Sequence, residues 1–404
     1  MSKNDKQHVF VPRLRFPEFR DSPEWSAKPL GSVAQFVTTK MPMNQVPIED
    51  YVSTENIRPD YGGIEGATRM PPSGSVTQYK PDDVLFANIR PYLRKVWRSN
   101  KSGGASNDVL VIRAKPILRS DYLPVVLAND AFVHYVMKTA KGVKMPRGDI
   151  ASMKAYSVYY PKPAEQQKIA DCLGSLDELI AAEGRMLAAL RDHKNGMMQQ
   201  VFPREGETRP RLRLPEFRDA PEWDRFLLEQ LEDERRIELG RGKVISHDDM
   251  RANPGPHPVY SSSVIDNGLM GTYGDYLFDE ELISWSVDGG GHFFYRPKHK
   301  FSITNVSGFI RVLSDDIICQ FLAYQLHRLH ASETFNYVQK AHPSVIRTLY
   351  TVGVPDPSEQ QRIADCLSAI DALIATQAEK LDALRTHKRG LMQQLFPSPD
   401  GSTS

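Results

Sequence analysis

The sequence predicts an α+β fold: two similar α+β lobes joined by two long helices that pair as an intramolecular antiparallel coiled coil, with pseudo-two-fold symmetry. Three observations predict it. The run PRLRFPEFRDSPEW from Pro12 to Trp25 returns as PRLRLPEFRDAPEW from Pro210 to Trp223, an offset of 198. The run PAEQQKIADCL at Pro163 returns as PSEQQRIADCL at Pro357, an offset of 194, and 25 of the 41 residues through the closing Phe-Pro pair are identical. The inserts between these blocks barely match. A duplicated frame around two unlike inserts implies one architecture presenting two different surfaces. The divisions expected are 1–162 for the first lobe with its N-terminal arm, 163–203 for the first spacer helix, 204–356 for the second lobe, and 357–404 for the second helix with its tail.

Each long helix carries its own start and stop. In the second copy Asp356 is expected at N-cap, Pro357 at N1 and Glu359 at N3, a capping box with proline where its missing N–H is harmless. The first copy keeps Pro163 and Glu165 but has Lys162 at the cap, so its start should fray more. Both end at a proline that cannot continue a helix, in Phe202-Pro203 and Phe396-Pro397. Between these limits apolar residues recur in steps of four and three. The first seam is Ile169, Leu173, Leu176, Ile180, Leu187, Leu190, Met197 and Val201. The second is Ile363, Leu367, Ile370, Ile374, Leu381, Leu384, Leu391 and Leu395. This is a heptad stripe. Glu183 and Lys194 interrupt the first seam, and Gln377 and Lys388 interrupt the second at matching places. Polar seam residues lower stability but fix register and orientation. A helix of this length makes a rod of ~58 Å.

The inserts correspond faintly. At the offset of 198, Asn107 aligns with Asn305 and Ile112-Arg113 with Ile310-Arg311, each a polar turn entering a strand. Upstream, DVLFANI from Asp83 and ELISWSV from Glu281 have the β-branched and aromatic content of buried strands. Gly289 to Gly291 should turn the chain into a strand over His292 to Tyr295, and a helix should follow in each insert, over 122–139 and 316–332.

Polar candidates sit on the turns. RPYLRKVWRSNK holds Arg90, Arg94, Lys95, Arg98 and Lys101 interleaved with Tyr92 and Trp97, and Ser106 and Asn107 follow. Arginine and lysine neutralise phosphates or read guanine edges, and aromatics contact bases or sugars. A solvated strand edge would carry the same residues. Lys144 and Arg147 lie in KGVKMPRGDI, and Lys340, His342, Ser344 and Arg347 lie at the parallel position before the second helix. In the second insert YSSSVIDNG offers Ser261, Ser262 and Asn267, and Asn305 lies downstream; ordinary turn chemistry accounts for these equally. From Val37 to Lys162 there are 18 Lys and Arg against 11 Asp and Glu, whereas from Arg235 to Asp356 the count is 12 against 13. The first insert therefore carries the cationic excess that attracts polyanions.

Catalytic signatures are missing. GRGK at Gly240 lacks the spacing of a phosphate loop, and the glycines at Gly289 are not G-x-G-x-x-G. Neither H-E-x-x-H nor paired Cys-x-x-Cys occurs, and Asn253-Pro254 continues as Gly-Pro. Three cysteines support no disulfide framework; Cys172 and Cys366 occupy one position of the repeat, Cys319 stands alone, and all are expected to be buried thiols. No apolar run approaches the ~18 residues of a membrane span, and the N-terminus lacks a signal-peptide core, so cytoplasmic residence is expected.

The EQQ-x-IADCL helices ending in MMQQVFP and LMQQLFP resemble the conserved regions of the specificity subunit of type I restriction–modification systems. The inserts resemble that family's target-recognition domains: YVSTENI with DVLFANIRPYLRKVW and SNDVLVIRAK is like one type, and HPVYSSSVIDNGLMG with ELISWSVDGGG and KFSITNVSG is like another. The resemblance implies a non-catalytic reader of double-stranded DNA. Each insert would recognise half of a bipartite asymmetric target, and the helices would set the gap. Two methylation subunits carrying S-adenosylmethionine would dock on the helices, and two motor–nuclease subunits using ATP and Mg can join. The chain itself would hold no cofactor or metal. The specificity subunit of a restriction class with fused methylation and cleavage, or a protein-assembly scaffold, are the alternatives.

Overall fold

The computed structural model describes residues 10–263, 265–287, 292–331, 333 and 341–397. The chain divides into two compact units, Met1–Arg185 with Ala378–Ser404, and Met186–Gln377. The turn expected at Gly289 to Gly291 and the candidate Lys340 lie outside the described residues.

The lobes share a four-stranded antiparallel core. In the first unit the order is Ala34–Phe36, Val109–Ala114, Val84–Ala87, Val96–Arg98. In the second, Ile237–Arg241, Ser307–Val312, Phe278–Ser286 and Phe293–Ile303 follow in the same order. The strand Val84–Ala87 is buried throughout because both its faces are covered. Val84, Phe86 and Ile112 pack toward the helices, where Phe86 meets Phe132 edge-on at 5.6 Å, while Leu85, Val109 and Val111 pack with Tyr79 on the other side. This double burial produces the unbroken apolar run that marked the strand. Around the core the lobes differ. The first adds a separate sheet of Lys40–Pro42, Ser75–Tyr79, Gly103–Ala105 and Tyr51–Val52; the second extends its one sheet with the hairpin His257–Tyr260 and Leu269–Tyr273.

The single helix expected over 122–139 is two, Leu123–Ala128 and Asp130–Thr139. Asn129 is extended between them, and its side chain accepts a bond from the Ala131 N–H at 2.9 Å, so it caps the second helix. In the second lobe the helix is Cys319–His330, starting three residues later than expected.

Both long helices form as expected, Pro163–Val201 and Pro357–Leu395, each of 39 residues and each stopping before Phe-Pro. The pairing is antiparallel by what each unit contains. In the first unit Ile169 and Leu173 share a core with Met392 and Leu395; in the second Met198 and Val201 share one with Ile363 and Leu367. Every seam residue is buried or half-buried. Polar seam positions are answered by charge: Lys194 reaches both oxygens of Asp371 at 2.6 and 2.8 Å, and Lys388 reaches Asp177 at the equivalent place. Glu183 pairs with Lys380 at 2.6 Å.

The capping box is only half made. Asp356 accepts from the Ser358 N–H at 2.9 Å, but Glu359 turns away to the arm, where Arg213 holds it. Glu165 is held likewise by Arg15, and the first helix, without a capping side chain, opens with the same backbone bonds as the second. Of the three free thiols only Cys319 is buried, and burial pushes its pKa up; Cys172 and Cys366 are half-buried.

Candidate nucleic-acid interface

The frame is built from residues that repeat. In the first copy Arg15 grips Glu165 with two bonds of 2.7 Å and donates to the Ser22 carbonyl at 2.7 Å; in the second Arg213 grips Glu359 at 2.9 and 2.7 Å and donates to the Ala220 carbonyl at 2.6 Å. These carboxylates are almost wholly buried, and two-pronged arginine contacts compensate their desolvation. The adjacent Gln166 and Gln360 are fully buried. Gln166 donates to Pro161 and Ile117 and accepts from the Arg119 N–H; Gln360 donates to Pro355 and Asp316 and accepts from the Ile318 N–H. The EQQ motif thus fastens each helix to its own arm and lobe. The arm's arginines were missed as partners of these glutamates, although Arg and Glu repeating together in both copies is the signal that could have paired them.

In the first lobe the candidates separate into two groups. One gathers at the end of the sheet where three loops meet. The Arg90 N–H donates to the Pro146 carbonyl at 2.8 Å, Ile89 and Arg147 form a bridge, the Asn88 N–H donates to the Asp108 carbonyl at 2.8 Å, and Arg147 pairs with Asp108 at 2.7 Å. Arg90, Tyr92, Ser106, Asn107, Lys144 and Arg147 are thereby brought onto neighbouring loops. Tyr92, Asn107 and Lys144 are exposed, and the Asn107 oxygen accepts from Lys40 at 2.6 Å. The second group is occupied by acids or carbonyls. Arg98 pairs with Asp82, Lys101 with Asp50 at 2.8 Å, Lys95 donates to the Thr54 carbonyl at 2.7 Å, and Arg94 bonds Asp130 at 2.8 to 2.9 Å with Asp60 at 3.4 Å. Part of the lobe's cationic excess is therefore neutralised locally.

The second lobe places Ser261, Ser262 and Asn267 on one hairpin loop. Ser261 accepts from the Thr304 hydroxyl at 3.0 Å, which brings the neighbouring Asn305 to the same edge. The turn is left-handed at Asp266, Asn267 and Gly268, with φ of 51, 50 and 82°. Arg296, which sequence reasoning missed, braces it. Its guanidinium lies 3.7 Å from the Tyr260 ring centre and 4.8 Å from that of Phe294, and it donates to Ser284 at 2.9 Å and to the Asn267 carbonyl at 2.7 Å. Burial pushes its pKa down to about 10. A lone arginine between apolar strand residues carries no periodic signal. The Ala341 N–H donates to the Val287 carbonyl at 3.1 Å and the Val287 N–H to the Val306 carbonyl at 2.9 Å, so the chain at His342 enters at the same end of the sheet as Asn305. His342 caps the short helix Pro343–Leu349 through Ser344, and Arg347 faces Glu229, Glu232 and Asp233, each at 3.3 Å.

Among the described residues there is no group of His, Cys, Asp and Glu that could hold a metal ion, and no helix is long and apolar enough to cross a membrane.

A family model of the type I restriction modification DNA specificity domain matches residues 24–191 and 236–386. The chain is 42% identical over 102 residues to the N-terminus of a type I specificity subunit of Mycoplasma pneumoniae, a match over 25% of this chain and 54% of that protein. It is 27% identical over 244 residues to another from the same organism, covering 59% of this chain and 84% of that one. It spans about half the length of several curated relatives it matches. The fold is similar to that of a crystal structure of a type I restriction–modification S subunit from M. genitalium, with a TM-score of 0.61, 14% identity, and coverage of 96% of this chain and 99% of that one. With the family model spanning both lobes and most of both long helices, the chain belongs to the family of type I restriction–modification DNA specificity proteins.

Proposed function

We propose that this chain is the sequence-specificity subunit of a type I restriction–modification complex. Each lobe reads one half of a bipartite, asymmetric duplex target, and the paired helices set the unspecified gap. One observation carries this reading: a repeated frame of arm, buried Arg–Glu clamp and long helix supports two lobes that share a strand order but expose unlike loops. A reader of two different half-sites requires that combination of sameness and difference. The chain does no chemistry. Methylation subunits bring S-adenosylmethionine and extrude the target adenine from the stack, and motor–nuclease subunits bring ATP and Mg. The basic first lobe contributes more of the phosphate attraction than the second.

The test is exchange of Val37 to Lys162 for the corresponding segment of another such protein, followed by sequencing of methylated sites in cells. One half of the methylated target should change while the other half and the gap persist. A pattern unaltered by the exchange would identify a protein scaffold, and a change in both halves would refute independent reading.

A further inference from the structure

Resting on the DNA-reading role above, we propose that two loops of the first lobe form a stacking wedge that enters the duplex at one base step. Tyr92 is its blade, and Arg94 is its internal brace, not a DNA contact.

The short 3-10 turn Pro91–Leu93 is bracketed by two arginines in left-handed backbone, Arg90 at φ 52° and Arg94 at φ 50°. Side chains other than glycine disfavour that region, so the turn persists only because its surroundings hold it. The Leu93 carbonyl accepts from the Asp60 N–H at 3.0 Å, and the Arg94 carbonyl from the Tyr61 N–H at 3.2 Å. Asp60 and Tyr61 are themselves left-handed. The Arg94 guanidinium ties the turn to Asp130, at the start of the helix Asp130–Thr139, and to Asp60. Tyr61 bonds the Ala128 carbonyl, and the Lys388 amine lies 5.4 Å from its ring centre. The charge of Arg94 is already answered by two carboxylates, leaving little for a phosphate.

The second loop lies alongside. Lys141 and Arg147 close a hairpin with reciprocal bonds of 2.9 Å, Gly142 takes the left-handed turn at φ 93°, and the Pro146 carbonyl accepts from the Arg90 N–H. These fixed loops expose apolar groups: Tyr92 is 46% exposed, Met145 54%, and Val143 wholly. Between them lie Arg90 and Lys144, whose side chains meet no carboxylate among the described residues. Apolar tips interleaved with unanswered cations match a stacked base step flanked by phosphates, which offers a flat apolar face and negative charge together.

The experiment measures binding of a duplex target by this chain assembled with its methylation subunits, over a range of salt. Tyr92→Ala should weaken specific binding about tenfold or more with an unchanged salt slope, and Tyr92→Phe should bind as the wild type does. Arg94→Ala should also weaken binding without changing the slope, and Tyr92→Ala added to it should weaken binding further by much less than tenfold. Arg90→Ala and Lys144→Ala should each flatten the slope by about 0.9, the loss of one phosphate contact. Flattening by Arg94→Ala would make it a contact and overturn the brace. Undiminished affinity in Tyr92→Ala would overturn the blade, and loss of subunit assembly without DNA would make this face a protein-docking surface. Failure of the wild-type complex to bind any duplex specifically would instead remove the DNA-reading role itself.

Discussion

The repeated frame and the two inserts obey different rules. Most frame residues at equivalent positions make equivalent bonds: Arg15–Glu165 matches Arg213–Glu359, Gln166 matches Gln360, and Lys194–Asp371 matches Lys388–Asp177; Trp25 is an exception, its indole donating to Glu165 at 3.3 Å while that of Trp223 finds no acceptor among the described residues. Insert residues keep the strand order and one ion pair within it, Arg113–Asp83 and Arg311–Glu280, while their loop side chains differ. Asn107 accepts from a lysine amine through its side chain, while Asn305 accepts from Arg241 through its backbone carbonyl. Arg147 faces one aspartate beside exposed loops, while Arg347, before the second helix, faces three acids. Buried bonds tolerate few substitutions, whereas loop side chains vary freely over a shared sheet. The difference teaches where the shared frame ends and the variable surface begins.

That contrast can be broken most forcefully at the clamp. Arg213→Ala leaves the buried Glu359 carboxyl without its arginine, and should destabilise the protein by about 3–5 kcal/mol in a urea titration. Arg15→Ala should cost about as much, and a markedly smaller loss in one copy would mean the frame is not equivalent after all. The seam comes next. Lys388→Met removes a charged bond to a half-exposed Asp177 and should cost about 1.5 kcal/mol; a gain in stability would show that apolar filling outweighs the ion pair. Smallest is Arg98→Ala, whose partner Asp82 is exposed, with an expected loss under about 0.5 kcal/mol. A larger loss would move Arg98 from the variable surface into the structural class.

Much of the fold was legible because it is periodic or punctuated. The seam from Ile169 to Val201, the terminating Phe-Pro pairs and the apolar run Val84–Ala87 each state their structure within a few residues. What was illegible depends on partners far along the chain. Glu359 sits at the N3 position of a capping box, yet its stronger partner, Arg213, lies 146 residues away. The cations of RPYLRKVWRSNK looked alike in sequence. Asp130 lies 36 residues from Arg94, and Asp82 16 residues from Arg98, and they decide which charges face outward. The break at Asn129 was missed because a capping asparagine between two apolar helical stretches also fits a single helix.

The clamp has a genetic corollary. Its arginine and glutamate lie in the two near-identical blocks that flank each insert, so a crossover between repeats carries a whole lobe and reconstitutes the same buried pair on both sides of the join. New pairings of lobes can then arise by reshuffling existing cassettes, with no compensating mutation in the scaffold.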